Sequence, residues 1–280
     1  MRQSRVLAIH DISGVGRCSL TVALPVLSAA GIECSVLPTA LLSTHTGDFE
    51  GYTYRDLSDD LLPMAEHWAS LNLKFDAIYT GYLGSLKQVE IIKQVITLLR
   101  TPCTKIFVDP VMADKGKLYP GFPENFPREM RTLCAQADLI IPNLTEAALL
   151  LNRSYEESPS AERVHELLLT LCSELGAKTA VLTGVSLKPG ELGAATYNPA
   201  TKEQSYAGAP AIPGMYHGSG DVFSSALVAA LIRNHPLPEA TAQAVTFTAE
   251  AIQRTQAAGI NPRQGLIFEP LLATFAHQFM

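Results

Sequence analysis

The sequence predicts an α/β protein built on a mainly parallel sheet with one antiparallel hairpin at its edge. Short apolar runs alternate with longer segments of helical period along most of the chain, the pattern of right-handed βαβ units. The segment Leu192–Gly208 breaks that rhythm with two short alternating stretches around Asn198-Pro-Ala-Thr, as an antiparallel hairpin does. With 47% hydrophobic and 17% charged residues over 280 positions, the chain can bury a large core, unlike a disordered one.

Arg5–His10 (RVLAIH) is a short apolar run and reads as the first strand. Ser19–Ala30 has helical spacing and is closed by Gly31, the residue suited to the left-handed turn after a helix. Glu33–Thr39 reads as a strand, Ser58–Leu71 as a helix, Ala77–Thr80 as a buried strand and Leu86–Leu99 as a helix. Lys105–Asp109 (KIFVD) is a strand, Pro127–Gln136 a short helix with proline at its start, and Leu139–Ile141 a strand. Thr145–Leu151 and Ala161–Leu175 read as helices and Thr179–Thr183 as a strand, before the hairpin. Val222–Ile232 and Glu239–Ala257 are the last long helices, and a short one lies near Leu271–His277. No Pro, Gly or Ser run makes a linker, and no internal repeat occurs, so residues 1–280 read as one domain. The loops near 43–56 and 110–127 are long and polar, and in α/β sheets function gathers in loops at the carboxyl ends of strands.

Twenty-one Lys and Arg against 27 Asp and Glu give a net charge of −6. That excludes a protein neutralising nucleic-acid phosphates with a cationic surface, and any anion site must be local. No apolar run is long enough to span a bilayer or to form a secretory signal core, so no membrane partner is expected. Cys18, Cys34, Cys103, Cys134 and Cys172 are scattered and contain no C-x-x-C, as reduced thiols of a cytoplasmic protein would be. The sequons at Asn143 and Asn152 are then chance matches.

Four strand ends carry groups suited to phosphate or metal. His217-Gly-Ser-Gly-Asp221 leads into a helix whose first turn offers N–H groups to an anion. Asp221 reads either as an N-cap after a glycine turn or as a general base for an attacking hydroxyl. Asp109-Pro-Val-Met follows strand KIFV, and its acid reads as a turn residue or as a holder of Mg²⁺ through water. Pro142-Asn143-Leu-Thr-Glu146 reads as a helix start or as a pair of groups for metal-bound water, and Thr183-Gly184 as a phosphate contact. Together they describe a nucleotide kinase site built without a Walker motif. Gly14-Val-Gly16 lacks the third glycine of a dinucleotide fingerprint, with Cys18-Ser19 near its place, and is expected to be a tight turn that admits substrate. Thr44-His45-Thr46 and Thr80-Gly81-Tyr82 read as surface loops or as the lining of a pocket for a small aromatic compound. No zinc spacing and no nucleophile elbow occurs.

From Val6 to about Ala257 the chain resembles the pyridoxal kinase family of the ribokinase-like superfamily. Ser43-Thr-His-Thr46, Thr80-Gly-Tyr-Leu-Gly-Ser85, Asp109-Pro-Val-Met112, Pro142-Asn-Leu-Thr-Glu146 and Gly218-Ser-Gly-Asp221 carry the resemblance. It implies a three-layer αβα sandwich, usually as a homodimer. It also implies transfer of the γ-phosphoryl of ATP, with Mg²⁺, to the 5′-hydroxyl of pyridoxal, pyridoxine or pyridoxamine, and leaves a monovalent cation open as a further cofactor. In that reading Asp221 is the general base, and Gly218, Ser219 and Gly220 form the anion hole. Asp109, Asn143 and Glu146 organise Mg²⁺ and its waters at the nucleotide, and Thr183 meets phosphate. Asp114 and Tyr119 belong to a loop over ATP, while His45, Thr46 and Tyr82 line the pyridine pocket. Asp11 departs from the family's usual serine against the ring, and implies a shift toward a protonated or cationic substrate such as pyridoxamine. Ile141 replaces a common threonine. His217 is similar to its counterpart in hydroxymethylpyrimidine kinases, but those carry cysteine where Asp221 stands. A hydroxymethylpyrimidine (phosphate) kinase and a non-catalytic pyridoxal-binding protein are the alternatives.

Overall fold

The computed structural model describes residues 2–279. A nine-stranded sheet is built from β1 (Arg5–Val15), β2 (Glu33–Thr44), β3 (Tyr54–Asp56), β4 (Ala77–Thr80), β5 (Lys105–Val108), β8 (Leu139–Ile140), β9 (Ala180–Val185), β10 (Glu191–Asn198) and β11 (Glu203–Pro210). Two very short strands, β6 (Ala113–Asp114) and β7 (Lys117–Leu118), form a separate hairpin between β5 and β8 in the chain. The spatial order in the main sheet is β11-β10-β9-β8-β5-β4-β1-β2-β3. The strands from β2 to β9 in this order pair in parallel, while β3, β10 and β11 are antiparallel additions at the two edges.

Helices cover both faces. Successive residues of β1 point to opposite sides, so Leu7 and Ile9 join one core and Val6 and Ala8 the other. The first core packs α2 (Ser58–Ser70), α3 (Leu86–Leu99), α4 (Phe126–Cys134), α5 (Leu144–Leu150) and α6 (Ala161–Leu175) on the sheet. The second packs α1 (Leu20–Ala29), α7 (Ser219–Ile232), α8 (Leu237–Ala257) and α9 (Leu272–His277). The expected αβα sandwich with an edge hairpin is therefore the observed fold. Among the described residues no helix is long and apolar enough to cross a membrane.

Four differences from the sequence reading lie near the cavity. β1 runs to Val15, so Gly14-Val-Gly16 is not a tight turn; only Gly16, at φ 96°, leaves the strand. β2 likewise continues to Thr44, because its parallel pairing with β1 resumes at Ile12 and Leu41 after an irregularity between His10 and Ile12. The loop expected near 43–56 ends in β3, whose three residues are all exposed and show no apolar alternation. The loop expected at 110–127 contains the β6–β7 hairpin.

Candidate active site

A cavity of about 480 Å³ opens at the carboxyl ends of β1, β4, β5, β8 and β9. The chain adds β2 on one side of β1 and β4 on the other, and a crevice at such a reversal is where open α/β sheets bind ligands. Every residue to which the resemblance gives a role lines this cavity: Asp11, His45, Thr46, Tyr82, Asp109, Asp114, Tyr119, Asn143, Glu146, Thr183, Gly218, Ser219, Gly220 and Asp221; Gly14, Gly16, Thr44, Thr80 and Gly81 do not.

The Gly-Ser-Gly-Asp segment forms the junction of two helix starts. Gly218 caps α7 at φ 76°, and a Cβ there would run into the Arg17 carbonyl oxygen, so only glycine fits. At Gly220 a Cβ would meet no protein atom, so the free space belongs to the cavity. Asp221 sits inside the first turn of α7 rather than before it, among N–H groups that the helix leaves without internal acceptors. Burial raises its pKa to about 7; the Ser19 backbone N–H, which donates to it, pulls the other way, and Asp11 adds repulsion. Ser19 itself caps α1 at φ 52°, a left-handed conformation that costs a non-glycine residue about 1–2 kcal/mol. Ser19 is buried. Its strained backbone places a donor on the candidate base.

Asp11 is 4% exposed and sits at the pairing irregularity in β1. Its Oδ2 accepts from the Ser13 hydroxyl at 3.0 Å, and burial raises its pKa. The Cys18 thiol, also on the cavity wall, is kept protonated by burial and by the charges of Asp221 and Asp11. On the same side, His45 has both ring nitrogens engaged. Nδ1 accepts from the Gly47 N–H at 3.1 Å, so the proton lies on Nε2, which donates to the Arg263 carbonyl at 2.6 Å. Burial lowers the His45 pKa and favours this neutral form. Tyr82 stands half-buried with its ring 5.6 Å from Phe122. Gly81 beside it is set by packing, because a Cβ there would collide with the His10 ring. His10 is fully buried with no partner at either nitrogen, and burial drops its pKa to about 3.

Across the cavity, Asp109 and Glu146 are buried close enough to repel each other, and burial raises both carboxyls. Asp109 Oδ2 accepts from Ser224 at 2.7 Å. Glu146 completes a capping box at the start of α5. Its Oε2 accepts from Asn143 N at 2.9 Å, while Asn143 Oδ1 accepts from Glu146 N at 2.9 Å. Its other oxygen accepts from Met112 N at 3.1 Å. The helix-start reading of this motif is thus real, and the same side chains also face the cavity. Asn143 Nδ2 donates to Ala113 O at 2.8 Å, tying α5 to the hairpin that carries Asp114 and precedes Tyr119. Thr183 N and its hydroxyl both donate to Pro142 O, leaving the hydroxyl oxygen free to accept.

Five carboxylates, Asp11, Asp109, Asp114, Glu146 and Asp221, line the cavity, and no lysine or arginine among the described residues does. Asp109 and Glu146 therefore suit a hard cation of oxygen preference. Among the described residues no group of three His, Cys, Asp or Glu side chains is placed to hold a metal ion. The sequence reading missed Cys18, Ser19 and an apolar shelf that includes Ile212, Met215, Val245, Ala249 and Ile252. Cys18-Ser19 had a faint signal in its place after Gly16; the shelf had none, since its residues are ordinary helix and loop apolars.

The family model for phosphomethylpyrimidine kinase matches residues 24–266. The crystal structure of pyridoxal kinase from Lactobacillus plantarum is 35% identical, with a TM-score of 0.90 covering 99% of this chain and 98% of that one. A Bacteroides thetaiotaomicron protein, provisionally named a phosphomethylpyrimidine kinase and crystallised with pyridoxal, is 36% identical; its TM-score is 0.93 over 98% of this chain and 96% of that one. Human pyridoxal kinase is 29% identical over 279 residues, covering 90% of this chain and 86% of that protein.

Proposed function

This chain belongs to the pyridoxal kinase family of ribokinase-like kinases, and from that premise we propose that it transfers the γ-phosphoryl of ATP to the 5′-hydroxyl of a vitamin B6 vitamer, giving the 5′-phosphate and ADP. The observation that carries the reading is Asp221. It is a carboxylate with a pKa near 7, set in the first turn of α7 and flanked by Gly220, which lines the cavity with open space beside it. At neutral pH such a group can take the proton of an attacking alcohol while the helix N–H groups and the Gly218–Gly220 turn meet the transferring phosphoryl group.

The other assignments follow the walls of the cavity. Asp11, His45, Thr46 and Tyr82 meet the pyridine ring. Asn143, Thr183, Asp114 and Tyr119 meet ATP, with the apolar shelf of α8 and residues 212–215 beneath its base. Asp109 and Glu146 would hold Mg²⁺ through its waters; the ion supplies the neutralising charge that this lysine- and arginine-free cavity lacks. The charge of Asp11 favours a substrate with a protonated ring or amine. We place the protein in the cytoplasm as a homodimer, with the exposed apolar side chains Val15, Leu41 and Tyr54 at the β1–β2–β3 margin as the surface suited to a second copy.

The family model's own description favours one second reading, a kinase of hydroxymethylpyrimidine or its phosphate. A single assay separates the two. ADP release is measured with Mg²⁺-ATP and pyridoxal, pyridoxine, pyridoxamine or hydroxymethylpyrimidine, with Asp221→Ala as the blank. Turnover of a B6 vitamer that falls by roughly 10²–10⁴-fold in the blank, with ATP binding retained, is expected. Turnover of the pyrimidine alone would replace the reading. A thermal shift with vitamer and no turnover would make the protein a binder.

A further inference from the structure

The residue that precedes the Gly-Ser-Gly turn is held by a side chain outside the cavity. Asp48 Oδ2 lies 2.8 Å from His217 Nε2. His217 lines the cavity, whereas Asp48 does not and its side chain is 65% exposed. The hydrogen bond from His217 holds the Asp48 carboxyl below the usual carboxylate range. An isolated surface pair of this kind contributes little to stability, but this one closes a network that joins three distant chain segments. Asp48 has a left-handed backbone at φ 58°. Gly47 donates to His45, His45 donates to the Arg263 carbonyl, and Arg263 Nη1 donates back to Asp48 O at 3.4 Å. The Arg263 guanidinium also lies 5.2 Å from the Phe49 ring centroid. The His217 ring is 5.0 Å from that of His45, and a Cβ on Gly47 would stand 2.7 Å from it. Directly after His217 comes Gly218, pressed against Arg17. The His217 ring is therefore tied to the 45–49 loop at Asp48, His45 and Gly47, while its backbone leads directly into the turn at Gly218.

We propose that Asp48 is a positioning residue for phosphoryl transfer: through His217 it locks the loop over the acceptor pocket to the Gly218–Gly220 turn, so that covering the acceptor and setting the N–H cradle are one event. This rests on the kinase reading of the same cavity. It predicts a loss in kcat rather than in nucleotide affinity, because Asp48 does not touch the nucleotide wall.

Two measurements test it, one of which needs no turnover. In steady-state kinetics Asp48→Ala is expected to lower kcat about tenfold with the KM for ATP within about twofold, and Asp48→Asn, which keeps an acceptor for the imidazole N–H, to recover most of it. In a His217→Ala background, adding Asp48→Ala is expected to change kcat by less than about twofold. Amide hydrogen exchange on the free protein reads the same lock: Asp48→Ala should speed exchange about tenfold at Ser219 and Val222, whose N–H groups donate to Tyr216 O and Gly218 O, as well as at Gly47, which donates to His45. Wild-type kcat in Asp48→Ala, or losses that multiply with His217→Ala, would overturn the proposal while the kinase reading stands. Protection at Ser219 and Val222 that is unmoved by Asp48→Ala would overturn it even if the chain proved not to be a kinase.

Discussion

Asp11 and Asp221 share one wall of the cavity, which carries no lysine or arginine among the described residues. Asp11 is one of the causes that raise the Asp221 carboxyl to about 7. A base works only when ionised, so the rate rises with pH through that value. Removing the Asp11 charge takes away repulsion and moves the acid limb to lower pH. Asp11→Ser is therefore expected to shift the acid limb of kcat/KM down by roughly half a unit or more and to move the vitamer ratio away from pyridoxamine. A pH profile for each vitamer checks both; an unmoved limb together with an unchanged ratio would show that Asp11 neither tunes the base nor reads the substrate.

The start of α7 separates two uses of glycine. Gly218 is demanded by the fold, whereas Gly220 has open space beside it on the cavity wall. Gly218→Ala is expected to lower Tm by several degrees, from about 1–3 kcal/mol of backbone strain and clash, and to lower kcat with it. Gly220→Ala, inside a helix with room for a methyl group, should hold or slightly raise Tm and still lose most turnover. Equal losses of Tm in both would show that Gly220 serves packing. At this scale the sequence was legible wherever one period governed an element. The helices α3 and α6 match their expected ranges, and the β10–β11 hairpin stands where Leu192–Gly208 broke the rhythm. It was not legible where polar residues continue a strand: Asp11, Ser13 and Gly14 lie in β1, because pairing with β2 and facing the cavity replace apolar burial. Candidate site residues were legible where they follow a strand directly, as Asp109 does, or within three residues, as Asn143 does. Ser19 and Asp48 were not, because their role depends on a left-handed backbone that neither residue type demands and on partners far away in the chain.

For the whole molecule, the buried carboxyls set a pH dependence of stability. Asp109, Glu146 and Asp221 all have raised pKa values in the folded state. Between about pH 4, where they titrate in the unfolded chain, and their raised values, the folded state holds more protons, so stability falls as pH rises. The protein without ligands is expected to melt lower at pH 8 than at pH 5.5. Asp109→Asn, which keeps an acceptor for Ser224, should flatten that slope and raise Tm at pH 8 while lowering kcat. Thermal melts across this range check it, and an unchanged slope would remove Asp109 from the account. The five-carboxylate lining also bears on the end of the catalytic cycle. Phosphorylation turns a neutral or cationic acceptor into an anion of the same sign as the walls around it, with no lysine or arginine there to retain it. The cavity that must be neutralised to admit a nucleotide is thereby built to expel its product.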